Sequence, residues 1–377
     1  MINPETDILI IGGGIAGCIA AISLADTHSV VLIDKLKEPN ERIGESLAPA
    51  AQRILKELGL LEGMEQGASS EERLYLKNIG MQSFWGSERV HIVDHLINPD
   101  GFVQSLNRKA FESYLRTSAI KKGVKCIWPA KLYNSNYEAN CWNIAAKSDG
   151  QNNNQETYHI KAKFVIDATG RQAHFAKSLN VKRQSIDKLI ACWGTMPNSL
   201  ENRMSTISAS ENGWWYSAVI PGNKRIMAFQ TDADLIDKKR IKEVDFFIEL
   251  AKENKEMARI LEETKSDLNF HGTVAANSTR LEQVAGQKWV ALGDAAISFD
   301  PLSSQGMYNA MANAMQLTKL LLELNLIHEF NSEKEKDFQR IYTQQIDKVW
   351  NYYLQHKKMF YSTEMRWNTS PFWKRRH

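Results

Sequence analysis

The chain has 377 residues, of which 43% are hydrophobic and 24% charged, and its formal net charge at pH 7 is +3. These proportions are typical of a globular protein, and at this length about two hydrophobic cores are expected. The body of the chain has no basic stripe and no apolar run of ~18 residues, so we expect neither a nucleic-acid partner nor a membrane span.

The cysteines and the first residues indicate the compartment. Cys18, Cys126, Cys141 and Cys192 share no Cys-x-x-Cys spacing, which argues against a metal centre or a disulfide framework. The stretch MINPETD carries acids and leads directly into a strand, unlike a secretory signal. We therefore expect a cytoplasmic protein that binds no metal.

The first structural unit is a strand, a glycine turn, a helix and a second strand. The apolar run that ends at Ile11 is typical of a strand buried on both faces. Gly12, Gly14 and Gly17 follow it, and in this spacing they allow a tight turn, close approach of a pyrophosphate and close helix packing. Asp34 ends the second strand, where a carboxylate can bind a ribose. We expect a dinucleotide site that also includes Ala16 and Lys35.

The remaining elements alternate between helix and strand signals. Arg108 to Lys122 is expected to be a helix, Ile241 to Glu263 another, and Ser304 to Asn325 a long third one. Strand patterns dominate residues 188–230. We predict a discontinuous nucleotide-binding domain at 1–180 plus 283–325, a strand-rich substrate domain at 181–282 with about 74–96, and a C-terminal helical and aromatic segment at 326–377.

Four separate stretches resemble the FAD-dependent monooxygenase superfamily. They are ERIGESLAP from Glu41, LNRKAFESYL from Leu106, VIDATGRQAHFAK from Val165 and GDAAISFDPLSSQGMYNAM from Gly293. The resemblance implies an α/β fold of the glutathione-reductase type, with an FAD-binding Rossmann domain, a β-rich substrate domain and C-terminal helices. It also implies non-covalent FAD, near which the following residues are expected to lie: Glu45, Ser46, Leu47, Arg108, Ala168, Gly170, Asp294, Pro301, Gly306 and Met307.

The same resemblance assigns roles at the last of these stretches. Asp294 is expected to bind the ribityl chain, Pro301 to turn the chain toward the flavin ring, and Gly306 and Met307 to begin a helix facing the N1–C2=O edge. A helix N-terminus stabilises negative charge there by about 0.3–1 kcal/mol. Because the sequence has a single dinucleotide fingerprint, we expect an external reductant, either NAD(P)H in transient contact or a separate reductase, with O₂ as co-substrate.

The stretch GWWYSAVIP, from Gly213, indicates a substrate region. Adjacent Trp214 and Trp215 point to opposite faces of a strand, so one could line the pocket while the other joins the core, or both could be structural. This stretch resembles tryptophan halogenases, although Trp215 is too far from Ile220 to complete their Trp-x-Trp-x-Ile-Pro motif. Lys77 is a candidate for a halogenase lysine, the alternative being a solvated lysine. His271 is a candidate for a base, the alternative being a structural histidine.

A closer resemblance is to the accessory flavoproteins of the cysteine tryptophylquinone oxidases, in compact length and in the stretches GWWYSA-x-x-P and GDAA-x-x-x-DPLSSQG. It implies an FAD-dependent monooxygenase that hydroxylates a tryptophan side chain in the precursor of a quinone-cofactor amino-acid oxidase. Two alternatives remain: a flavin-dependent hydroxylase or halogenase of a free aromatic molecule, and a non-enzymatic FAD-bound assembly factor.

The C-terminal aromatics raise a further question. For Trp350 to Phe360 we give equal weight to two interpretations, packing on its own domain and contact with a partner. Beyond Trp367 we favour partner docking. The basic residues Lys374, Arg375 and Arg376 are expected to form a solvated tail.

Overall fold

The computed structural model describes residues 4–65, 73–95, 98–149, 155–237, 239–264, 267–329 and 331–377. Its first layer is built around a parallel sheet. The parallel strands lie in the order Trp289–Ala291, Gln155–Asp167, Glu5–Ile11, Val30–Ile33 and Lys125–Ile127. Strands Cys141–Asp149 and Lys131–Glu138 extend it by antiparallel pairing beside Gln155–Asp167, and Ala285–Gly286 pairs with the opposite edge.

Helices cover the parallel sheet because its central strands are apolar on both faces. Ile8 to Ile11 and Val30 to Ile33 are all buried, which two-sided coverage requires. The main covering helices are Ile15–Leu24, Arg108–Lys121 and Gly306–Glu323, and they share one hydrophobic core with the sheet. This arrangement confirms the expected Rossmann-type α/β fold.

The second layer is a seven-stranded, mostly antiparallel sheet. Its strands lie in the order Asn269–Ala275, Leu189–Pro197, Lys224–Asp232, Gly213–Ile220, Ser205–Ser210, Gly80–Phe84 and His91–Asp94. Only the pairing between Ser205–Ser210 and Gly80–Phe84 is parallel. The β-rich part of the expected fold is therefore present and takes strands from two regions of the sequence. The domain boundaries themselves stay predictions, and Leu96 lies outside the described residues.

The two faces of this sheet have different neighbours. We call the face that carries Trp193, Trp214 and Tyr216 the front face; it contacts the loop around Ile43 and the C-terminal segment. The back face carries Trp215 and Phe229 and packs against helices Val244–Glu253 and Lys255–Thr264.

The expectation of one helix from Ile241 to Glu263 was wrong. A short 3₁₀ turn, Arg240–Lys242, precedes two helices that are separated at Asn254. The side-chain oxygen of Asn254 accepts hydrogen bonds from the backbone N–H groups of Glu256 and Met257, at 3.2 Å each, and so begins the second helix.

Shorter elements connect the layers. Two small sheets are formed by Ser46–Leu47, Val103–Leu106 and Tyr75–Asn78, and by Arg183–Ser185, Thr279–Leu281 and Ile297–Ser298. The remaining short helices and 3₁₀ turns are Ala51–Glu57, Leu61–Glu65, Gly170–Gln172, His174–Ser178, Gly293–Ala295 and Pro301–Ser303. Across the described ranges, no helix combines the length and apolar character that a bilayer span requires.

The C-terminal segment is part of the folded body. A helix of 31 residues, Ser332–Ser362, is followed by the short helix Pro371–Lys374. Phe372 and Trp373 are fully buried, whereas Phe360 is half-exposed. The preference for partner docking beyond Trp367 was therefore wrong for the aromatics of the last helix, because they pack on the front face.

The expected solvated basic tail was also wrong for Arg376, which is buried, and Arg375 is exposed but ion-paired. The Arg376 guanidinium contacts both carboxylate oxygens of Asp232, at 2.5 and 3.0 Å, and Arg375 donates to Asp232 and to Asp234, at 2.8 Å each. Asp232 is buried, so these arginines hold the chain end to the turn after strand Lys224–Asp232. Lys374 and Arg375 are themselves exposed, whereas Arg376 is buried.

Candidate active site

The glycine turn brings two distant strand ends together. A β-carbon at Gly12 would lie 2.3 Å from the carbonyl oxygen of Ala168, and one at Gly17 would lie 1.9 Å from that of Gly12. Gly12 has φ +115°, which a side chain rarely adopts. Ala16 lies against Gly293, where an added β-carbon would approach the methyl group of Ala16 to 3.0 Å. The glycine turn and the third and fourth resemblance segments, from Val165 and from Gly293, therefore converge here.

Asp34 organises the turn from the end of the second strand. Its carboxylate accepts the backbone N–H groups of Gly13 and Leu36, at 2.7 Å each, and forms an ion pair with Arg116 at 3.0 Å. Sequence reasoning missed Arg116, which lies about two turns after Arg108 on the same helix and belongs to no motif of its own. Lys35 is exposed and donates to Gln172 at 3.0 Å, and the ribose contact of Asp34 stays a prediction.

Arg116 ties the turn to neighbouring backbone. It is buried, donates to the carbonyl oxygens of Gly13 at 3.0 Å and Leu36 at 2.9 Å, and lies over the ring of Trp128. A guanidinium with its donors arranged in a fork suits this bridging position.

The loop from Glu41 to Leu47 is held by Arg108. The guanidinium donates to the carbonyl oxygen of Gly44 at 2.6 Å and to Glu112 at 2.6 Å. Ser46 pairs with Ser105 in a small sheet, and the side chain of Leu47 is fully buried in the core. The structure thus brings Arg108 to this loop.

The Gly293–Ala295 turn presents Asp294. Arg183 donates to the backbone carbonyl oxygen of Asp294 at 2.9 Å, and Nε of Arg171 lies 3.8 Å from its carboxylate. Burial raises the pKa of Asp294, against the opposing effect of these two cations, although 39% of its side chain is still exposed. Burial lowers the pKa of Arg183 to about 10, which leaves it cationic at pH 7. An accessible carboxylate at this turn can accept hydrogen bonds from a polyol chain.

Asp167 supports the segment that carries Ala168 and Gly170. The buried carboxylate accepts the backbone N–H groups of Thr169 at 3.0 Å and Ala176 at 2.9 Å. Burial raises the pKa of Asp167, and these hydrogen bonds oppose that shift. Gly170 has φ +64° and lies in the 3₁₀ turn next to Asp294.

The second half of the fourth segment begins with Asp300. Its carboxylate accepts the backbone N–H of Leu302 at 2.9 Å, so that Pro301 starts a 3₁₀ turn. The long helix then begins at Gly306, and the side chain of its second residue, Met307, is largely buried. The two glycine-bearing helices, Ile15–Leu24 and Gly306–Glu323, pack against each other.

These segments fit an FAD molecule. A β-carbon at Gly14, Gly170 or Gly306 would meet no atom within 4 Å, so backbone is open there to a ligand. Neither helix, Ile15–Leu24 nor Gly306–Glu323, has a side-chain cap at its N-terminus. Uncapped N–H groups and the helix dipole favour negative charge. The first helix would hold the pyrophosphate and the second the electron-rich edge of the flavin.

The front face of the antiparallel sheet meets the Glu41–Leu47 loop. Ile43 packs against Trp193, and buried Glu45 lies beside the phenol of Tyr216. Burial and the neighbouring carboxylate of Glu45 raise the pKa of Tyr216 well above its ordinary value. Sequence reasoning missed Trp193 and Tyr216, although the two-residue alternation of their strands could have placed both on one face.

His271 lies at the edge of the contact between the front face and the Glu41–Leu47 loop. Its ring stacks on Trp193 with 4.2 Å between centroids, and Nε2 lies 2.9 Å from the hydroxyl of Thr195 and 3.9 Å from Glu41. These contacts are compatible with both alternatives for His271, a structural histidine and a base. Lys77 is exposed on a small sheet, with Nζ 5.6 Å from the ring of Phe102.

Trp214 and Trp215 point to opposite faces, and both are buried. Trp214 is 2% exposed and donates its indole N–H to the phenol oxygen of Tyr361 at 3.0 Å. Trp215 is 1% exposed and stacks on Phe229 at 4.7 Å, beneath the helices of the back face. Trp215 is therefore a core residue, and Trp214 joins the front face to the C-terminal segment.

Among the residues that the structure describes, no group of three or more His, Cys, Asp or Glu side chains could hold a metal ion.

Several known proteins are similar to this chain in sequence and in fold. The chain is similar to LodB of Marinomonas mediterranea, by name a FAD-dependent oxidoreductase, with 26% identity covering 98% of this chain and 96% of LodB. Its fold is similar to that of the flavin-dependent halogenase CmlS, with a TM-score of 0.82 and 21% identity over 99% of this chain and 68% of CmlS.

A third similarity is to QhpG, a peptidyl tryptophan dihydroxylase essential for tryptophylquinone cofactor biogenesis. Its fold matches with a TM-score of 0.78 and 19% identity over 99% of this chain and 79% of QhpG. The resemblance to FAD-dependent monooxygenases and halogenases is confirmed. Because the FAD binding domain model matches residues 5–326, the chain belongs to that family and is a flavin-dependent oxidoreductase.

Proposed function

We propose that this protein is an FAD-dependent monooxygenase that hydroxylates a tryptophan side chain in the precursor of a quinone-cofactor amino-acid oxidase. Similarity to LodB along nearly the whole chain and the shared fold of a peptidyl tryptophan dihydroxylase support this function. The structural observation that carries it is a contact between two parts of the chain. The aromatic front face, at Trp193 and Tyr216, packs against the loop that includes Ile43 and Glu45.

The chemistry needs few acid–base groups from the protein. Reduced FAD, when bound, supplies activation of O₂ and delivery of an oxygen atom to an electron-rich ring. The electrons come from NAD(P)H or from a separate reductase. The chain's own residues bind the indole against the front face, orient it and exclude water from the reacting atoms.

Tyr216 is the front-face residue whose phenol lies next to the carboxylate of Glu45. A tyrosine phenol is protonated at neutral pH, and burial together with the carboxylate of Glu45 raises the pKa of Tyr216 further, so this phenol can donate a hydrogen bond. Glu45 is the adjacent acceptor, and its own carboxylate also accepts the N–H of Gly44 at 3.2 Å. The pair joins the substrate sheet to the flavin loop, so it can fix the distance between indole and flavin.

Mass spectrometry of a precursor tests this function. The purified protein with FAD, a flavin reductant and O₂ is incubated with the unmodified oxidase precursor, and in parallel with free tryptophan. We expect a gain of oxygen mass on the precursor tryptophan alone. A precursor whose target tryptophan is replaced by phenylalanine serves as the control. An unchanged precursor mass under conditions that reduce and reoxidise the bound flavin would refute the proposal.

A variant pair assigns the role of the front face. Tyr216→Phe should retain FAD but slow oxygen transfer by about 10–100-fold, as expected when one positioned hydrogen bond is lost. Tyr133→Phe changes a phenol that is 66% exposed and should leave the rate unchanged. Equal rates for Tyr216→Phe and the unaltered protein would remove Tyr216 from the mechanism.

A flavin-dependent hydroxylase or halogenase of a free aromatic molecule is the second candidate. The fold shared with CmlS favours it, whereas the exposed position of Lys77 does not. The same experiment, repeated with free tryptophan and chloride, separates the two functions. Turnover of the free indole with no change in the precursor would support the second candidate.

The location and partners follow from the proposed reaction. We place the reaction in the cytoplasm, before the partner oxidase is mature. Cys18, Cys126, Cys141 and Cys192 are free thiols, in agreement with a reducing compartment.

A further inference from the structure

A cavity lies on the back face of the antiparallel sheet, away from the segments expected to bind FAD. Its volume is about 220 Å³, and Arg225, Thr206 and Gln82 from the sheet and Arg259 and Ile260 from helix Lys255–Thr264 contribute to its wall. Arg225 shares the back-face orientation of Phe229, four residues along the same strand. Trp214 and Tyr216 point to the other side of the sheet, so this cavity is separate from the front face.

Arg225 is a buried cation that forms no ion pair within the described parts of the chain, although the charge of Glu263, which lines the same cavity, acts on it. Its side chain is 1% exposed. Burial lowers the pKa of Arg225 to about 10, so the guanidinium still carries its charge at neutral pH. An unpaired charge away from water is costly, and buried charges in proteins are ordinarily paired.

Neutral oxygens satisfy only part of the guanidinium. Nε donates to the side chain of Asn198 at 3.0 Å, Nη1 to the hydroxyl of Ser217 at 3.2 Å and Nη2 to the backbone oxygen of Asn202 at 3.0 Å. A guanidinium has five N–H groups, so one N–H remains on each terminal nitrogen. Two such N–H groups are the number that a bidentate carboxylate requires.

The other charged residues at the cavity define the rest of the ligand. Arg259 is neutralised by Glu256 at 3.5 Å and by Glu263 at 3.4 Å, so it offers little free charge. Glu201 lines the same cavity, is exposed at its rim and makes no ion pair in the described residues. A buried positive charge and a negative charge at the rim match a molecule with a carboxylate and an ammonium group.

We propose that this cavity binds a small amino acid, with its carboxylate on Arg225 and its ammonium group toward Glu201. The volume is below the ~300–1,000 Å³ of sites for drug-sized ligands, which restricts the occupant to a few heavy atoms beyond these two groups. The site is distinct from the proposed tryptophan oxidation, and ligand binding here involves no flavin chemistry.

Calorimetric titration of the FAD-loaded, full-length protein tests the proposal without any substitution. The probes are β-alanine, propionate, propionamide and propylamine at constant ionic strength. We expect β-alanine to bind, propionate to bind about tenfold more weakly and the amide and the amine to bind at least about 100-fold more weakly. Equal binding of propionamide and propionate, or no heat from any probe at millimolar concentration, would overturn the proposal. Binding of chloride or phosphate in preference to β-alanine would also contradict it.

Variants assign the two charges. Arg225→Lys should weaken β-alanine binding by at least about tenfold, because a lysine cannot offer the bidentate fork. Since Arg225 also supports Asn198 and Asn202, its variant could lose stability, and the exposed Glu201→Gln provides the second test. That variant should bind β-alanine and propionate with equal affinity.

The matched control is Arg240→Gln, which changes an exposed arginine that pairs with Glu249 at 3.0 Å on the same layer. It should bind all probes like the unaltered protein. An unchanged preference for β-alanine over propionate in Glu201→Gln would remove the ammonium site from the proposal.

Discussion

The indole N–H of Trp214 donates to the phenol oxygen of Tyr361 at 3.0 Å, and Tyr361 donates in turn to the carboxylate of Asp300 at 2.8 Å. Three distant parts of the chain meet at this pair: the front face, the C-terminal helix and the turn that Pro301 begins. Lys357 adds charge, with Nζ 3.6 Å from Asp300. Helix Ser332–Ser362 therefore holds the turn at Pro301 against the antiparallel sheet.

Removal of this phenol should destabilise the protein. Tyr361→Phe leaves the N–H of Trp214 and one oxygen of Asp300 without this partner in a buried site, which costs about 1–3 kcal/mol. Urea unfolding of the apoprotein measures the loss. Tyr352→Phe, at a tyrosine that is 63% exposed, is the control and should change the unfolding free energy by less than about 0.5 kcal/mol. Equal stability of the two variants would show that the hydrogen-bonded chain contributes nothing.

The chain end should be structural. Arg376→Ala leaves buried Asp232 with Arg375 as its remaining cation, and loss of one partner of a buried ion pair costs up to about 3–5 kcal/mol. Thermal unfolding measures the effect, and Lys374→Ala, at an exposed lysine, should be neutral. A truncation from Trp367 should likewise lower stability. A truncated protein that is fully stable and loses only the partner would restore the docking interpretation.

Local constraints explain what the sequence could predict. The turn from Gly12 to Gly17 depends on backbone space next to a strand and a helix, and the alternation that separates Trp214 from Trp215 depends only on strand geometry. Each of these features is determined by neighbouring residues. Both could therefore be predicted without knowledge of the tertiary structure.

Long-range partners could not be predicted in this way. Arg116 reaches Asp34, Arg183 reaches the turn of Asp294, and Tyr361 covers Trp214, all from distant positions in the chain. No spacing rule connects such pairs. The expected solvated tail was wrong for the same reason, because basic residues at a chain end give no indication of a buried aspartate elsewhere.

Two glycines of the turn should respond differently to alanine. A β-carbon at Gly14 meets no atom, so Gly14→Ala should fold but obstruct the pyrophosphate and weaken FAD binding by at least about tenfold. A β-carbon at Gly17 would lie 1.9 Å from backbone oxygen, so Gly17→Ala should lower the stability of the apoprotein itself. Thermal unfolding without FAD and fluorescence titration with FAD separate the two effects. Normal FAD affinity in Gly14→Ala would place the phosphates elsewhere.

Asp294 should contribute directly to FAD affinity. Asp294→Ala removes an accessible carboxylate, and hydrogen bonds to charged groups are worth about 1.5–3 kcal/mol, so the Kd for FAD should rise about 10–150-fold. Release of FAD on dilution, followed by its fluorescence, measures the change. Asp26→Ala, which removes an exposed partner of Lys122, is the control and should retain FAD normally. Unchanged retention in Asp294→Ala would contradict the assigned ribityl contact.

His28 should make stability depend on pH below neutrality. Its ring is buried and stacks on His328 at 4.8 Å, and burial, followed by the charge of His328 and that of Lys163, lowers its pKa despite the opposing effect of Asp7. The unfolded chain binds this proton with a pKa of about 6.5, so the unfolded state gains protons first as the pH falls. The contribution of His28 is thus complete above about pH 6.5 and declines as the pH falls toward the folded pKa.

Urea unfolding of the apoprotein at pH 7.5 and pH 5.0 measures this decline. Replacement of the exposed stacking partner, His328→Asn, removes one of the charges that oppose protonation of His28, so the loss of unfolding free energy at pH 5.0 should become smaller. His91→Asn, at an exposed histidine away from the stack, controls for the loss of one titratable side chain. If His328→Asn and His91→Asn lose the same unfolding free energy between the two pH values, the stacked pair does not determine the acid sensitivity.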